Sequence, residues 1–404
     1  MFSFRRVYFA LCGLAAGAGL ADAAETPAQA APPRWVVPPL DGELRGELTP
    51  DLLPGAPPVQ WTLRIATPRP RERAVTFLVE GRGLRVEGDA LLDPAGEGAW
   101  RIIAARIDLA EWFGWLAPRW APEVQTVAVA GVLSAEGGGM WRGGRLTGRV
   151  QAAVRDGSVD DVARKLRLDG VSLDLVLDEL APRRAAAGQV LAWTGGKFDV
   201  LRLGAGRVEF AVTGDSVEVA AAELEVLGGR LRVGGLRFDL ATPEFAVTAS
   251  MHRIELAQLL RFLPPVLSEA RGKVEGSVTL RRDGRGIAVD EGRFALEPGE
   301  TAELRLAPGL TQIAAGMPEI VRTHYPGLAQ MEAGGVSLQA RELEIRLTPG
   351  GDADGRTARL HVAGGPADPA LRAPVVIDVN VRGPLEQLVR MGTDSRLRFG
   401  GERR

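Results

Sequence analysis

The chain has 404 residues, 49 Lys and Arg against 51 Asp and Glu, and 46% hydrophobic residues, enough apolar mass for two or three domains with real cores. The near-zero charge gives no basic surface for nucleic acid. The single cysteine, Cys12, excludes an internal disulfide and a cysteine metal site, and none of the three lysines, Lys165, Lys197 and Lys273, is followed by the Ser or Thr that a phosphate-binding loop requires. With 51 glycines, 27 prolines and 5% aromatics, the composition favours short strands and tight turns over long helices.

In chain order, Arg5 and Arg6 precede an apolar run from Val7 to Leu20 and the small residues around Ala23, the three regions of an export leader. We expect residues 1–23 to be a signal peptide, or an uncleaved anchor in the inner membrane, and residues 24–39, rich in Ala and Pro, to be a linker. Cys12 follows Leu11 and sits too early for a lipoprotein site.

From Leu40 onward apolar and polar residues alternate. Val217, Val219 and Ala221 share one predicted face, as do Leu343, Ile345 and Leu347, and Val375, Ile377, Val379 and Val381. Comparable runs surround Leu84–Val86, Leu231–Val233, Leu236–Leu240, Phe245–Val247, Val274–Leu280, Phe294–Leu296 and Leu360–Val362. Gly228-Gly229, Gly234-Gly235, Asp283-Gly284 and Pro298-Gly299 are predicted turns, as is Gly204-Ala-Gly206. The expected product is antiparallel sheet with one apolar face.

Two segments interrupt this rhythm and align without a gap about 147 residues apart: Arg106–Pro118 and Arg253–Pro265. Ile107, Leu109, Trp112, Phe113 and Leu116 match Ile254, Leu256, Leu259, Leu260 and Leu263, the spacing of an amphipathic helix. We therefore predict two β-repeat units, 40–194 with a helix near 107–117 and 195–404 with a helix near 254–267, each helix capping or plugging the sheet's apolar face. Further helices are expected around Leu310–Tyr325 and Pro384–Met391.

Catalytic chemistry has no visible carrier. His252, His324 and His361 are far apart, His361 being a solvent-side strand residue and His324 a helix-terminal one. Gly170-Val-Ser172 and Gly335-Val-Ser337 lack the second glycine of a nucleophile elbow and look like strand starts, and the carboxylate pairs Asp160-Asp161 and Asp178-Glu179 suit solvated loops. We expect no enzyme, no metal and no cofactor. All eight tryptophans lie in the first half; filling core and helix-packing gaps explains them more simply than a bilayer interface.

The order Ile254–Leu260, Gly272–Leu280, Gly286–Leu296 and the finish Val379–Val389 resembles the YdbH-like intermembrane phospholipid transport family, which sits among the AsmA-like bridge-like lipid carriers; the likeness is densest over Gly195–Arg398. The resemblance implies an elongated, repeated antiparallel β-groove, polar outside and apolar inside, carrying phospholipid between inner and outer membrane in the periplasm. Typical members are about twice as long, which implies oligomerisation or a small envelope lipoprotein partner; from the sequence we expect a monomer that tends to associate end to end. Val233, Leu236, Phe238, Val247, Val278, Leu280 and Phe294 are the candidate lipid-contacting residues, with Ile254, Leu256, Leu259, Leu260 and Leu263 as the plug. The same alternation would build a closed sandwich with a dry core, which patterning alone favours; the resemblance points to the groove. The alternative function is a structural envelope module that binds a partner through exposed sheet edges. Phe238→Glu separates the two, because a buried charge abolishes lipid carriage and spares edge-mediated assembly in a folded variant.

Overall fold

The computed structural model describes residues 41–48, 57–120, 127–143, 145–180, 183–239, 244–259, 267–283, 286–306, 330, 333–368 and 375–382. The expected leader, linker and helices around 310–325 and 384–391 lie outside these, as does His324. The protein is mainly β: the described residues hold 22 strands, two α-helices and one 3-10 turn, and the strands form antiparallel ladders. It forms two units. One takes the described residues up to Phe198 together with Ala205–Ala222 and those from Gly235 to Asp239, and the other takes Asp199–Gly204, Glu223–Gly234 and those from Glu244 onward.

The first unit is a meander. β1 (Gly42–Leu48) pairs with β2 (Val59–Arg69), followed in turn by β3 (Glu72–Gly81), β4 (Leu84–Leu92), β5 (Gly98–Asp108), β6 (Val127–Arg142), β7 (Arg145–Asp161) and β8 (Leu166–Leu177). β9 (Glu179–Leu180) and β10 (Arg183–Trp193) form a hairpin; β8 pairs with β10 and then with β11 (Gly195–Phe198), and β10 with β12 (Leu201–Thr213). β13 (Ser216–Val226) and β14 (Gly229–Asp239), like β12, are divided between the units.

Period two decides what each face carries. The register lines up Gly46, Trp61, Val79, Val86, Ala105, Ala135, Ala152 and Leu175 on one face across eight strands. The neighbouring row on the opposite face is Glu47, Gln60, Glu80, Arg85, Arg106, Ser134, Ala153 and Asp174. Asp156 and Gly170, both at positive φ, lie at neighbouring register shifts where β7 and β8 each carry an extra residue, and Gly131 of β6 faces the shift in β7.

In the second unit β14 pairs with β15 (Phe245–Glu255), followed by β17 (Lys273–Asp283), β18 (Gly286–Leu296), β20 (Leu338–Leu347), β21 (Ala358–Pro366) and β22 (Val375–Val381). β16 (Leu267–Arg271) pairs with β19 (Ala302–Leu306), which also joins β20. One apolar row runs Met251, Gly276, Phe294, Ile345, Leu360, Val379; a row on the other face runs Arg232, Ser250, Ser277, Arg293, Arg346, Arg359, Asn380.

Several expectations are corrected. Helix α1 is Leu109–Trp120, not 107–117, because Ile107 is still laddered to Leu84 and Leu133. Ile254 and Glu255 end β15, so α2 is Leu256–Leu259 and the predicted 254–267 helix starts two residues late; position 267 already opens β16. Gly234-Gly235 lies inside β14, Gly204–Gly206 lies inside β12, and Gly170 to Ser172 is mid-strand in β8. A Cβ on Gly206 would sit 2.0 Å from the Trp193 ring, so that glycine makes room for an indole. Ala221 is exposed and does not share the buried face of Val217 and Val219.

Candidate functional site

Among the described residues the strands gather apolar side chains on one face, and the accessibility of that face varies along each unit. In the first unit Leu133, Val150, Val154, Leu173, Leu175 and Leu177 on β6–β8 are enclosed. On β1–β4 the same face is half-open in part: Trp61, Leu63, Phe77, Val79 and Val86 are half-buried and Leu44 is 49% exposed, while Val59, Ile65 and Val75 are buried. Leu44, Leu63 and Phe77 are direct cross-strand neighbours, as are Trp61, Val79 and Val86. In the second unit Phe294, Leu343, Ile345, Leu360 and Val362 are buried, while Val375, Ile377, Val379 and Val381 on β22 are half-buried.

Each helix is positioned by the strand before it. β5 ends at Asp108, whose backbone N–H donates to the Gly83 carbonyl (2.6 Å) and whose carboxylate accepts from the Ala110 N–H (2.9 Å), the N-cap that starts α1. Leu109, Trp112 and Phe113 are buried, α1 packs on β5 and β6, the Trp112 indole N–H donates to the Arg82 carbonyl (2.7 Å), and Arg82 pairs with Glu111 (3.1 Å). β15 ends at Glu255, whose N–H donates to the Leu227 carbonyl (3.0 Å); the Leu256 N–H then donates to the Gly272 carbonyl (3.0 Å). Ile254, Leu256 and Leu259 are buried, and Leu260 and Leu263 lie outside the described residues.

Of the candidate lipid-contacting residues, Val233, Val247, Val278, Leu280 and Phe294 belong to the second unit, and Leu236 and Phe238 to the first. Val247 stands opposite Leu280; Val278 stands opposite Gly292, over which the Phe294 ring lies. All have 2–8% of their surface accessible except the half-buried Leu280. The half-open rows on β1–β4 were not singled out from the sequence, although Val59, Trp61, Leu63, Ile65 and Val75, Phe77, Val79 carry the same alternation. Among the tryptophans, Trp112 and Trp193 are buried, and Trp61, Trp100, Trp115 and Trp141 are half-buried.

The opposite face is a lattice of paired charges: Arg64 with Glu43 (2.9 Å), Arg85 with Glu80 (2.6 Å), Arg281 with Asp290 (3.0 Å) and Arg293 with Glu344 (2.9 Å). Hydrogen bonds from Arg64 and then Arg45 hold the Glu43 carboxyl below the usual range, a bond from Arg346 does the same for Glu344, and one from His361 does so for Asp378. His361, solvent-side as expected, faces Asp378 at 2.9 Å; His252 stands 3.9 Å from Glu275. Among the described residues no group of three His, Cys, Asp or Glu could hold a metal ion, and no helix is long and apolar enough to cross a membrane. The arrangement sorts apolar from charged side chains.

No curated protein and no solved structure matches the chain. The profile of one family, described as YdbH-like, intermembrane phospholipid transport protein YdbH, matches residues 31–317. The match takes in both strand-to-helix caps and the half-open rows, and ends ahead of β20, whereas the resemblance noted from the sequence was weighted to Gly195–Arg398. Spanning more than half of its length, the match establishes that this chain belongs to the YdbH-like family of intermembrane phospholipid transport proteins.

Proposed function

We propose that the protein carries phospholipid between the inner and outer membranes from within the periplasm, with acyl chains lying against the apolar sheet face and headgroups directed to the solvent. Family membership supports the substrate class and the membrane-to-membrane direction of the task. The observation that carries the finer reading is the sorting of side chains, with Trp61, Leu63, Phe77 and Val79 on one face and Gln60, Arg64, Thr76 and Glu80 on the other.

Magnitudes explain why such a face is useful. Drawing one acyl chain of about 16 carbons through water costs roughly 13 kcal/mol at about 0.8 kcal/mol per methylene, and two chains double that. An apolar surface lowers the barrier without supplying direction. In this reading acyl chains lie against the half-open rows on β1–β4, where apolar surface is accessible, and contact Val247, Val278, Leu280 and Phe294, or Val233, Leu236 and Phe238, where the side chains covering them give way. A small envelope lipoprotein that extends the path, and a leader that exports the chain or anchors it in the inner membrane, belong to the same proposal.

The test places photoreactive residues at Leu63 and Phe77, with Arg64 and Thr76 as controls on the opposite face, followed by lipid extraction and mass spectrometry of protein taken from the cell envelope. Phospholipid adducts concentrated at Leu63 and Phe77 support the reading. Adducts equal on both faces, or none together with no co-purifying phospholipid, defeat it.

A further inference from the structure

We infer that β22 of one copy and β1 of a second copy are mating edges, so that copies of this chain associate head to tail by strand pairing. The inference stands on the edges themselves and does not depend on the lipid reading. β1 has β2 as its ladder partner and β22 has β21; among the described residues no other strand pairs with either. Both strands are seven residues long.

A bare strand edge is a template for another strand, and proteins that stay monomeric blunt it with Lys, Pro, bulges or inward charges. The sequence of β22, VVIDVNV, has none of these: one charge, no proline, no glycine, four valines, and Val376 65% exposed. Strands of this composition are those that pair most readily when left uncovered.

The other edge matches it residue for residue. Antiparallel pairing with Gly42 opposite Val381 and Leu48 opposite Val375 uses the full length of both strands. It sets Leu44 against Val379 and Gly46 against Ile377 on the apolar face, and Glu43 against Asn380, Arg45 against Asp378 and Glu47 against Val376 on the charged face. A slip of one residue would put Leu44 opposite Asp378 or Asn380 and lose the Arg45–Asp378 match. A slip of two would leave five pairs and remove the Arg45–Asp378 match. Both charged groups are reachable, with the Arg45 and Asp378 side chains 73% and 44% exposed. Arg45 already bonds Glu43 and Asp378 already bonds His361, so the new pair would join two existing charge networks. The interface is heterologous, so each copy offers one edge to each of two neighbours, and a seven-residue strand pair makes the association weak and concentration-dependent.

The test uses the full chain in a Cys12→Ser background. Arg45→Cys and Asp378→Cys variants are oxidised separately and mixed. The mixture is expected to give a disulfide-linked dimer at least fivefold above either variant alone; absence of the dimer, or equal dimers from the single variants, overturns the proposal. Because these positions are exposed, folding is not at stake, and a second measurement guards the result. In sedimentation, the average mass of the unaltered chain should rise with concentration, that of Arg45→Asp or Asp378→Arg alone should fall toward the monomer, and mixing the two reversals should restore the rise. A monomer at every concentration, or a rise untouched by the reversals, overturns it.

Discussion

The junctions β5–α1 and β15–α2 are the same device built twice and finished differently. In each, a strand ends at an acidic residue, Asp108 or Glu255, held by a backbone hydrogen bond to a hairpin turn. Each turn holds a glycine with positive φ, Gly83 at +64° or Gly228 at +71°, and that glycine lies against the acidic side chain. Asp108 is short enough to cap α1 through its own carboxylate, whereas Glu255 instead takes a hydrogen bond from Gln258. The first helix then runs twelve residues and brings Trp112 and Trp115 edge to face at 5.9 Å, while the second is described over four residues and rests on Leu256 and Leu259. One backbone geometry therefore tolerates different helices, because the strand end and the turn define the entry point and the side chains only fill what lies above it.

The comparison can be broken most forcefully at its largest side chain. Trp112→Ala removes a buried indole and its hydrogen bond to Arg82, and should cost about 3–5 kcal/mol, seen as lost amide-exchange protection through β5, α1 and β6. Protection in β15 and β17 that collapsed equally would show the two caps to be one cooperative element. Ile254→Ala, at a fully enclosed position, should cost about 2–4 kcal/mol, read out at the Leu256 amide that bonds Gly272. If that amide kept its protection, the second junction would owe nothing to its apolar cover.

The glycines sharpen the likeness. A Cβ on Gly83 would come 2.7 Å from the Asp108 Cβ, which cannot move without the strand, and Gly83→Ala should cost about 2–3 kcal/mol. At Gly228 the clash is with the far end of the Glu255 side chain, 2.4 Å from its Cδ, which can swing away, so Gly228→Ala should cost about 1–2 kcal/mol from its backbone alone. Denaturant melts that ranked the two the other way would refute this account. Asp108→Ala should lose about 1 kcal/mol as an N-cap, and Glu255→Ala less, measured in the same way.

The smallest effect lies on the charged face of the second unit. Because Glu344 is held below its ordinary value by the Arg346 hydrogen bond and by Arg293, its contribution is complete above the unfolded-state value and fades as pH falls through the lowered folded one. Acid titration of stability should therefore show a slight loss below the ordinary carboxylate range that Glu344→Gln removes; an unchanged acid limb would deny these pairs a stabilising role.

Much of the fold was legible in advance. Val375 to Val381 alternate in the sequence and alternate in exposure, and Leu109, Trp112 and Phe113 were marked for a helix that buries them. The helix starts were placed two residues early, at Ile107 and Ile254, because helical spacing cannot reveal that a ladder partner still holds those residues in a strand. Gly204–Gly206 and Gly234-Gly235 read as turns in the sequence, since a glycine marks a turn, a bulge and a close approach with the same letter. At Gly206 only the Trp193 ring, distant in sequence, tells them apart.

The same division holds for the site. The chain by itself determined which residues share a face, because side-chain direction along an extended backbone is a local matter of odd and even positions. It also determined that one face is apolar and the other charged. Only the tertiary structure decided that Val278 and Phe294 are enclosed while Leu44, Leu63 and Phe77 stand half-open. Accessibility depends on what non-local strands and helices place over a residue, and no local pattern contains that information.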